Sequence, residues 1–429
     1  MSRISRRLLY AVFLPALLHV HSAQAQQVLT LESLLEEVHS TNPSLLAARL
    51  NAEALATRPR QVSSLPDPTV SASYRPLAVG GFDGVLPAQI EIRQMIPYPG
   101  KLRLAGDAAR YGAEMAAYES DELFLELAYE VKASFYEVFM LQQHEHHIHA
   151  FQRQLDDFEQ AATIRYEVGA GPQQAILKAQ LERNTLARKL LEISAERRMH
   201  IERLARLVNR PDLIAQWDQV LLERASLDLD PALRPEDALV ERPEVKAVEA
   251  GLNMADAEIA MAKREYLPDF MVGAGIMDMM GSDAGVMPLE KVGSRVGIEF
   301  GIVLPLWKGR RDAALEEARL RRRAFEARYE AVQTEIKTEW NELQNRLFEN
   351  EKALALFRET LMPQAETTLE ATLSAYTTGR ADFLDLLDAR RMILDVDMEY
   401  EHTYADYLQT RARLERTAGV MSGSGVAAR

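Results

Sequence analysis

Arg295-Val296-Gly297-Ile298-Glu299-Phe300-Gly301-Ile302-Val303-Leu304-Pro305 is the stretch that decides how this chain folds. Val296, Ile298, Phe300, Ile302 and Leu304 alternate with Arg295, Gly297, Glu299, Gly301 and Val303. That is the period of a β-strand with one apolar face. An apolar face toward lipid and a polar face toward a lumen is the pattern of a membrane β-barrel; a hairpin lying on a soluble core carries the same alternation. Ile90 and Ile92 alternate with Glu91 and Arg93 in the same sense. Four strands are expected, at about 67–76, 87–96, 269–279 and 294–304.

Outward from the strands, proline is absent between Pro99 and Pro172 and between Pro305 and Pro363. The gaps are 72 and 57 residues and average about 65, and a helix of that length at 1.5 Å per residue is about 100 Å long. Helices of that length need lateral partners, and a seam is present in each. Phe124, Ala128, Val131, Phe135 and Val138 form one; Phe325, Tyr329, Val332, Ile336, Trp340, Leu343 and Leu347 form the other. The first spacing averages 3.5 residues and suits a left-handed coiled coil, whereas the second approaches 3.67 and suits nearly straight packing. Each long helix then meets a turn glycine, in Val168-Gly169-Ala170-Gly171-Pro172 and in Thr378-Gly379-Arg380-Ala381-Asp382. Returning helices are expected over about 173–209 and 383–417, completing two antiparallel hairpins.

The chain repeats itself. Asn42-Pro43-Ser44-Leu45 matches Arg242-Pro243-Glu244-Val245, and Leu65-Pro66-Asp67 matches Leu267-Pro268-Asp269. Ile90-Glu91-Ile92 with Pro97 matches Ile298-Glu299-Phe300 with Pro305, and Tyr166, Gly169, Leu177 and Ala179 match Tyr376, Gly379, Leu387 and Ala389. The offsets grow in order, 200, 202, 208 and 210, as expected of a duplicated unit with small insertions. Each unit reads as an opening helix (about 31–63 and 235–265), two strands and two long helices. The expected organisation is a signal peptide at 1–25, a first unit at 26–209, a linker at 210–234, a second unit at 235–418 and a disordered tail at 419–429.

The signal rests on Arg3, Arg6 and Arg7, an apolar run from Leu8 to Leu18, and the small-x-small site Ala23-Gln24-Ala25. Cysteine is absent, which removes disulfides, thiolate metal sites, cysteine nucleophiles and a lipidated cysteine anchor. Lys+Arg 50 against Asp+Glu 64 gives a net charge of −14, which disfavours a nucleic-acid partner. Four strands are too few to close a barrel, and an open edge in lipid leaves backbone groups unpaired. Three copies would supply about twelve strands, enough for a water-filled lumen. The expected fold is therefore mainly α, with long antiparallel helical hairpins forming an α-barrel and four transmembrane strands per chain shared in a trimeric β-barrel.

The duplicated unit, the corners Ile96-Pro97-Tyr98-Pro99-Gly100-Lys101 and Leu304-Pro305-Leu306-Trp307-Lys308-Gly309-Arg310, and the two Tyr-x-x-Gly tips resemble the TolC outer-membrane efflux family over nearly the whole mature chain. The resemblance implies a homotrimer in outer-membrane lipid with a periplasmic helical tunnel. It also implies docking to a periplasmic adaptor and an inner-membrane resistance-nodulation-division pump. The function it implies is a passive exit duct for metal ions or drugs, with no enzymatic activity. Gly169, Ala170, Gly171, Gly379 and Arg380 are the expected adaptor contacts. Asp385 and Asp388 are similar to the acids that close the periplasmic end in that family; the alternative is that Asp382 caps the helix and Asp385, at its third position, complements the helix dipole.

Two clusters suggest metal. His144, His146, His147 and His149 include i,i+3 pairs such as His144 with His147, although a solvated helix face explains them as well. Met271, Met277, Met279, Met280 and Met287 surround the second strand pair, where lipid-facing or loop packing explains them as well. No phosphate loop, Gly-x-Ser-x-Gly or His-Glu-x-x-His pattern occurs, so no cofactor and no catalysis are expected and energy must come from a partner. Two rival functions remain at this level: an outer-membrane duct for type I protein secretion, and a periplasmic coiled-coil adaptor or scaffold without a barrel.

Overall fold

The computed structural model describes residues 28–74, 85–222, 239–240, 242–281 and 290–420. The expected signal peptide, part of the linker, Met287 and most of the tail lie outside the described residues. The first unit runs β1 (Val28–Leu29), α1 (Leu31–Thr41), α2 (Pro43–Val62), β2 (Thr69–Tyr74), β3 (Val85–Ile96), α3 (Lys101–Glu167) and α4 (Gln173–Leu207). Then come α5 (Asp212–Ala215), a 3-10 turn at Trp217–Gln219 and β4 (Leu221–Leu222). The second unit runs α6 (Pro243–Arg264), β5 (Asp269–Gly281), β6 (Glu290–Val303), α7 (Lys308–Leu356), a π turn (Phe357–Leu361), α8 (Met362–Thr377) and α9 (Phe383–Thr417). No helix among the described residues is long and apolar enough to cross a membrane.

Two expected helices are interrupted. The opening helix at 31–63 is split at Asn42, whose Oδ1 accepts from the amides of Ser44 (2.9 Å) and Leu45 (3.1 Å). Pro43 supplies the reason: it has no N–H and is pre-set for the first helical position, so a new helix starts there. Asn42 Nδ2 meanwhile donates to the Leu207 carbonyl at 2.8 Å, fixing the break against α4. The second long helix carries its π turn immediately before Pro363, where the ring would crowd the carbonyl four residues back and the helix widens instead. By contrast α3 is continuous over 67 residues, about 100 Å at 1.5 Å per residue.

The strands form one antiparallel sheet in the order β2-β3-β5-β6, with β3–β5 joining the two units. Their bounds differ from the expected ones by a few residues, the usual scatter at element ends. The register repeats the sequence duplication. In the first unit Val70 faces Ile92 and Ala72 faces Ile90; in the second, Val272 faces Phe300 and Ala274 faces Ile298. These are the pairs obtained by adding 202 to one strand and 208 to the other.

The first helical seam is buried throughout and the second in its middle, with Phe325, Tyr329 and Leu347 only partly covered. Phe124, Ala128, Val131, Phe135 and Val138 lie in one core with α1, α4 and α9, and Val332, Ile336, Trp340 and Leu343 lie in another with α6. The linker is latched rather than loose up to Leu222. β4 pairs in parallel with β1. Arg197 Nη1 meets Glu145 at 2.6 Å while its Nη2 donates to the carbonyls of Asp218 and Val220.

Candidate functional site

The two hairpin tips are built alike. Gly169 (φ 71°) and Gly379 (φ 74°) sit in the left-handed region one residue past the helix cap. The amide of the residue after each glycine reaches back to a carbonyl five residues earlier, Ala170 to Arg165 at 2.7 Å and Arg380 to Ala375 at 2.8 Å. The glycine amides bond Tyr166 and Tyr376 at 3.0 Å, completing a Schellman motif at both ends. Beyond it the copies diverge. Pro172 opens α4 without a side-chain cap, whereas Asp382 opens α9 with a capping box. Asp382 Oδ1 accepts from Leu384 and Asp385 amides, and Asp385 Oδ2 accepts from the Asp382 amide at 3.0 Å.

The tips lie side by side around a cavity of about 200 Å³ lined by Arg165, Pro172, Gln174, Tyr376, Phe383 and Leu384 among others. The Arg165 guanidinium lies 5.0 Å from the Tyr376 ring centre, and Phe158 meets Phe383 edge-on at 6.2 Å. These contacts tie one hairpin to the other. Asp388 stands one turn beyond Asp385 with its side chain 74% exposed and, among the described residues, Arg391 as its ion-pair partner at 3.6 Å. Asp385 is thus engaged in the helix start, and Asp388 is the freer carboxylate of the pair.

At the other end of the molecule the sheet separates its chemistry by face. Val70, Ile92, Ala274 and Ile298 are consecutive partners across all four strands, and Ile90, Ile276 and Val296 follow them on the same side. The large apolar residues of this face are exposed, up to 80% for Phe300. The opposite face carries Ser71, Glu91, Arg93, Glu299 and the glycines 273, 275, 297 and 301. Arg93 Nη2 donates to Glu91 at 2.7 Å, and its Nε lies 3.2 Å from Glu299. Gly273 makes room for this trio, since a Cβ there would lie 3.3 Å from Arg93 Cγ and 3.4 Å from Glu299 Cβ. The sheet is thus apolar on one side and charged on the other, with β2 and β6 as its edges among the described residues.

Comparison with known proteins agrees with this geometry. Residues 234–420 match the family model described as outer membrane efflux protein. That match covers a little under half of the chain. Among solved structures it is similar to the outer-membrane channel OprN, at 17% identity with a TM-score of 0.78, over 91% of this chain and 90% of that one. The outer membrane protein VceC of Vibrio cholerae matches at 20% identity and TM-score 0.76, over 91% and 96%. The CmeC outer membrane channel of Campylobacter jejuni matches at 15% and 0.76, over 91% and 85%. No curated protein matches the chain. OprN and CmeC are themselves described as outer-membrane channels.

Of the histidine row, His146 and His149 are exposed, as a solvated helix face requires, whereas His144 and His147 turn inward. His144 is buried, and its Nε2 donates to the Met398 carbonyl at 3.0 Å. Burial pushes its pKa down to about 4, so it is neutral. His147 is half-buried with Nδ1 3.5 Å from Asp397. Burial lowers the pKa of His147 and raises that of Asp397, moving both toward their neutral forms. His149 instead bonds Gln152 at the surface. Among the described residues no group of three His, Cys, Asp or Glu is placed to hold a metal ion. Met277, Met279 and Met280 occupy β5 opposite β3 and β6, around a register shift between Met279 and Met280.

The sequence reading missed the Arg93–Glu91–Glu299 trio and the Arg165–Tyr376 contact. Glu91 and Glu299 were visible as repeat partners, but Gly301 stands where a second arginine would have marked the trio. Arg165 gave no signal beyond being a cation in the last turn of α3.

Proposed function

We propose that three copies of this chain join their sheets into one outer-membrane barrel and their long helices into a periplasmic tunnel, making a passive exit duct for ions or small molecules. The observation that carries this reading is the sheet: one continuous apolar face, one charged face and, among the described residues, unpaired edges at β2 and β6. In lipid each unpaired backbone group costs several kcal/mol, and pairing with sister copies removes that penalty. The units 26–209 and 235–418, joined by 210–234, then act as six similar staves, delivered to the periplasm by the signal at 1–25.

Gly169, Ala170, Gly171, Gly379 and Arg380 form the surface offered to a periplasmic adaptor, which couples the duct to an energised inner-membrane pump. The exposed, rigidly capped tips support that assignment. Asp388, with Asp385 beside it, supplies a carboxylate ring at the narrow periplasmic end, which attracts cations and repels anions. Planar-bilayer recording tests both levels. The purified protein should conduct, and Asp388→Ala should raise single-channel conductance and weaken block by polyvalent cations. Absence of any conductance contradicts the duct; unchanged block contradicts the gate.

A further inference from the structure

The two units of this chain are alike in sequence and register but unlike in what covers them. α6 buries nine of its 22 residues and α2 one of 20; α3 buries 23 of 67 and α7 six of 49. So α3 and α6, which pack on each other, are flanked on both sides, whereas α2 and α7 each keep a bare flank. The sheet repeats the asymmetry, with β3 and β5 inside and β2 and β6 at the edges.

The charges at the strand–helix corners follow the same division. Lys101, at the start of α3, is buried with its Nζ 2.9 Å from Asp269 and 3.5 Å from Glu265. By the duplication, Gly100-Lys101 corresponds to Gly309-Arg310, Asp269 to Asp67 and Glu265 to Ser63. Arg310 and Asp67 are both exposed, and neither has an ion-pair partner among the described residues; Lys308, two positions before Arg310, has none either. The contact made inside the chain between its two units is therefore left half-made at each of its ends, with a cation at one and an acid at the other.

We infer that a second copy of this chain completes it: β6 of one copy pairs antiparallel with β2 of the next, and Arg310 of the first takes Asp67 of the second as its partner. The register follows from the β3–β5 pairing. Ile92↔Ala274, Arg93↔Gly273 and Gln94↔Val272 become Phe300↔Ala72, Gly301↔Ser71 and Ile302↔Val70. This register continues the apolar face without a break, since Phe300 and Ile302 then meet Ala72 and Val70; a slip of one residue would turn β2 over. The inference rests on the shared-barrel reading above and adds the residues that meet at the seam.

The absence of native cysteine makes the test direct. In the full chain expressed in outer membranes, Ser71→Cys with Gly301→Cys should give disulfide-linked dimers and trimers on non-reducing gels. Val70→Cys with Ile302→Cys should do so on the opposite face. Ser73→Cys with Gly301→Cys, two residues out of register, should not. A Cβ at Gly301 comes within 2.9 Å only of the flexible Met271 Cε, so that cysteine is accommodated. Separately, Asp67→Arg and Arg310→Asp should each lower the temperature at which the detergent-resistant oligomer dissociates, and the double swap should recover most of the loss. A trimer by native mass that cross-links through Ser73 instead of Ser71, or a double swap no better than the singles, overturns the inference and leaves the shared barrel standing. A monomer by native mass removes both.

Discussion

At the scale of single residues, burial decides which polar groups act and which only hold. His144 is buried on α3 beside the Met398 carbonyl, and that burial, against the pull of the hydrogen bond, favours its neutral form. Its folded pKa, about 4, is below the ordinary value of 6.5. Between those values the unfolded chain binds the proton and the folded chain does not, so stability falls as pH drops below about 6.5 and levels off below about 4. His144→Gln retains a donor and removes the titration. Thermal midpoints measured from pH 7.5 to 4.5 should fall less steeply in this variant than in the parent; equal slopes would contradict the assignment. At the tip, Asp382→Ala removes a cap worth roughly 1 kcal/mol, which a denaturant midpoint reads directly. Gly379 has open space around it but a left-handed backbone. Gly379→Val therefore strains the turn by roughly 1–2 kcal/mol. Under the proposed docking it should impair efflux while leaving assembly intact, and normal resistance at normal expression would count against docking there.

At the scale of elements, legibility followed how local the cause was. α9 begins at Phe383 and ends at Thr417 as expected, because Asp382 and the following apolar periodicity are local signals. The breaks at Asn42 and before Pro363 were also written in prolines. The sequence reading took the first as part of a continuous helix and the second only as an endpoint, since neither displaces the apolar pattern. Long-range ion pairs were not legible at all. Lys132 and Glu415 are 283 positions apart, yet both are buried and meet at 2.6 Å between α3 and α9, with Arg411 3.3 Å from the same carboxylate. Nothing in the spacing of either helix announces that pair. Lys132→Met should destabilise the fold by about 3 kcal/mol, because removing one partner of a buried pair leaves the other charge poorly compensated. Chemical denaturation in detergent checks it, and a change within a few tenths of a kcal/mol would contradict this account of the α3–α9 contact.

At the scale of the whole molecule, one duplication organises both ends. The sequence offsets reappear in the strand register, which is why the four strands and the two hairpins could be read in advance. The covering of the outer flanks could not be, because that information lies between copies rather than along one chain. The proposed duct accordingly depends on neighbours: among the described residues the sheet has two free edges, the apolar face is exposed, and α2 and α7 are each bare on one side. Native mass spectrometry of the protein extracted from outer membranes in mild detergent tests this most directly. Three chains per particle is the predicted result; a particle of one chain that stays folded with its sheet intact would contradict it.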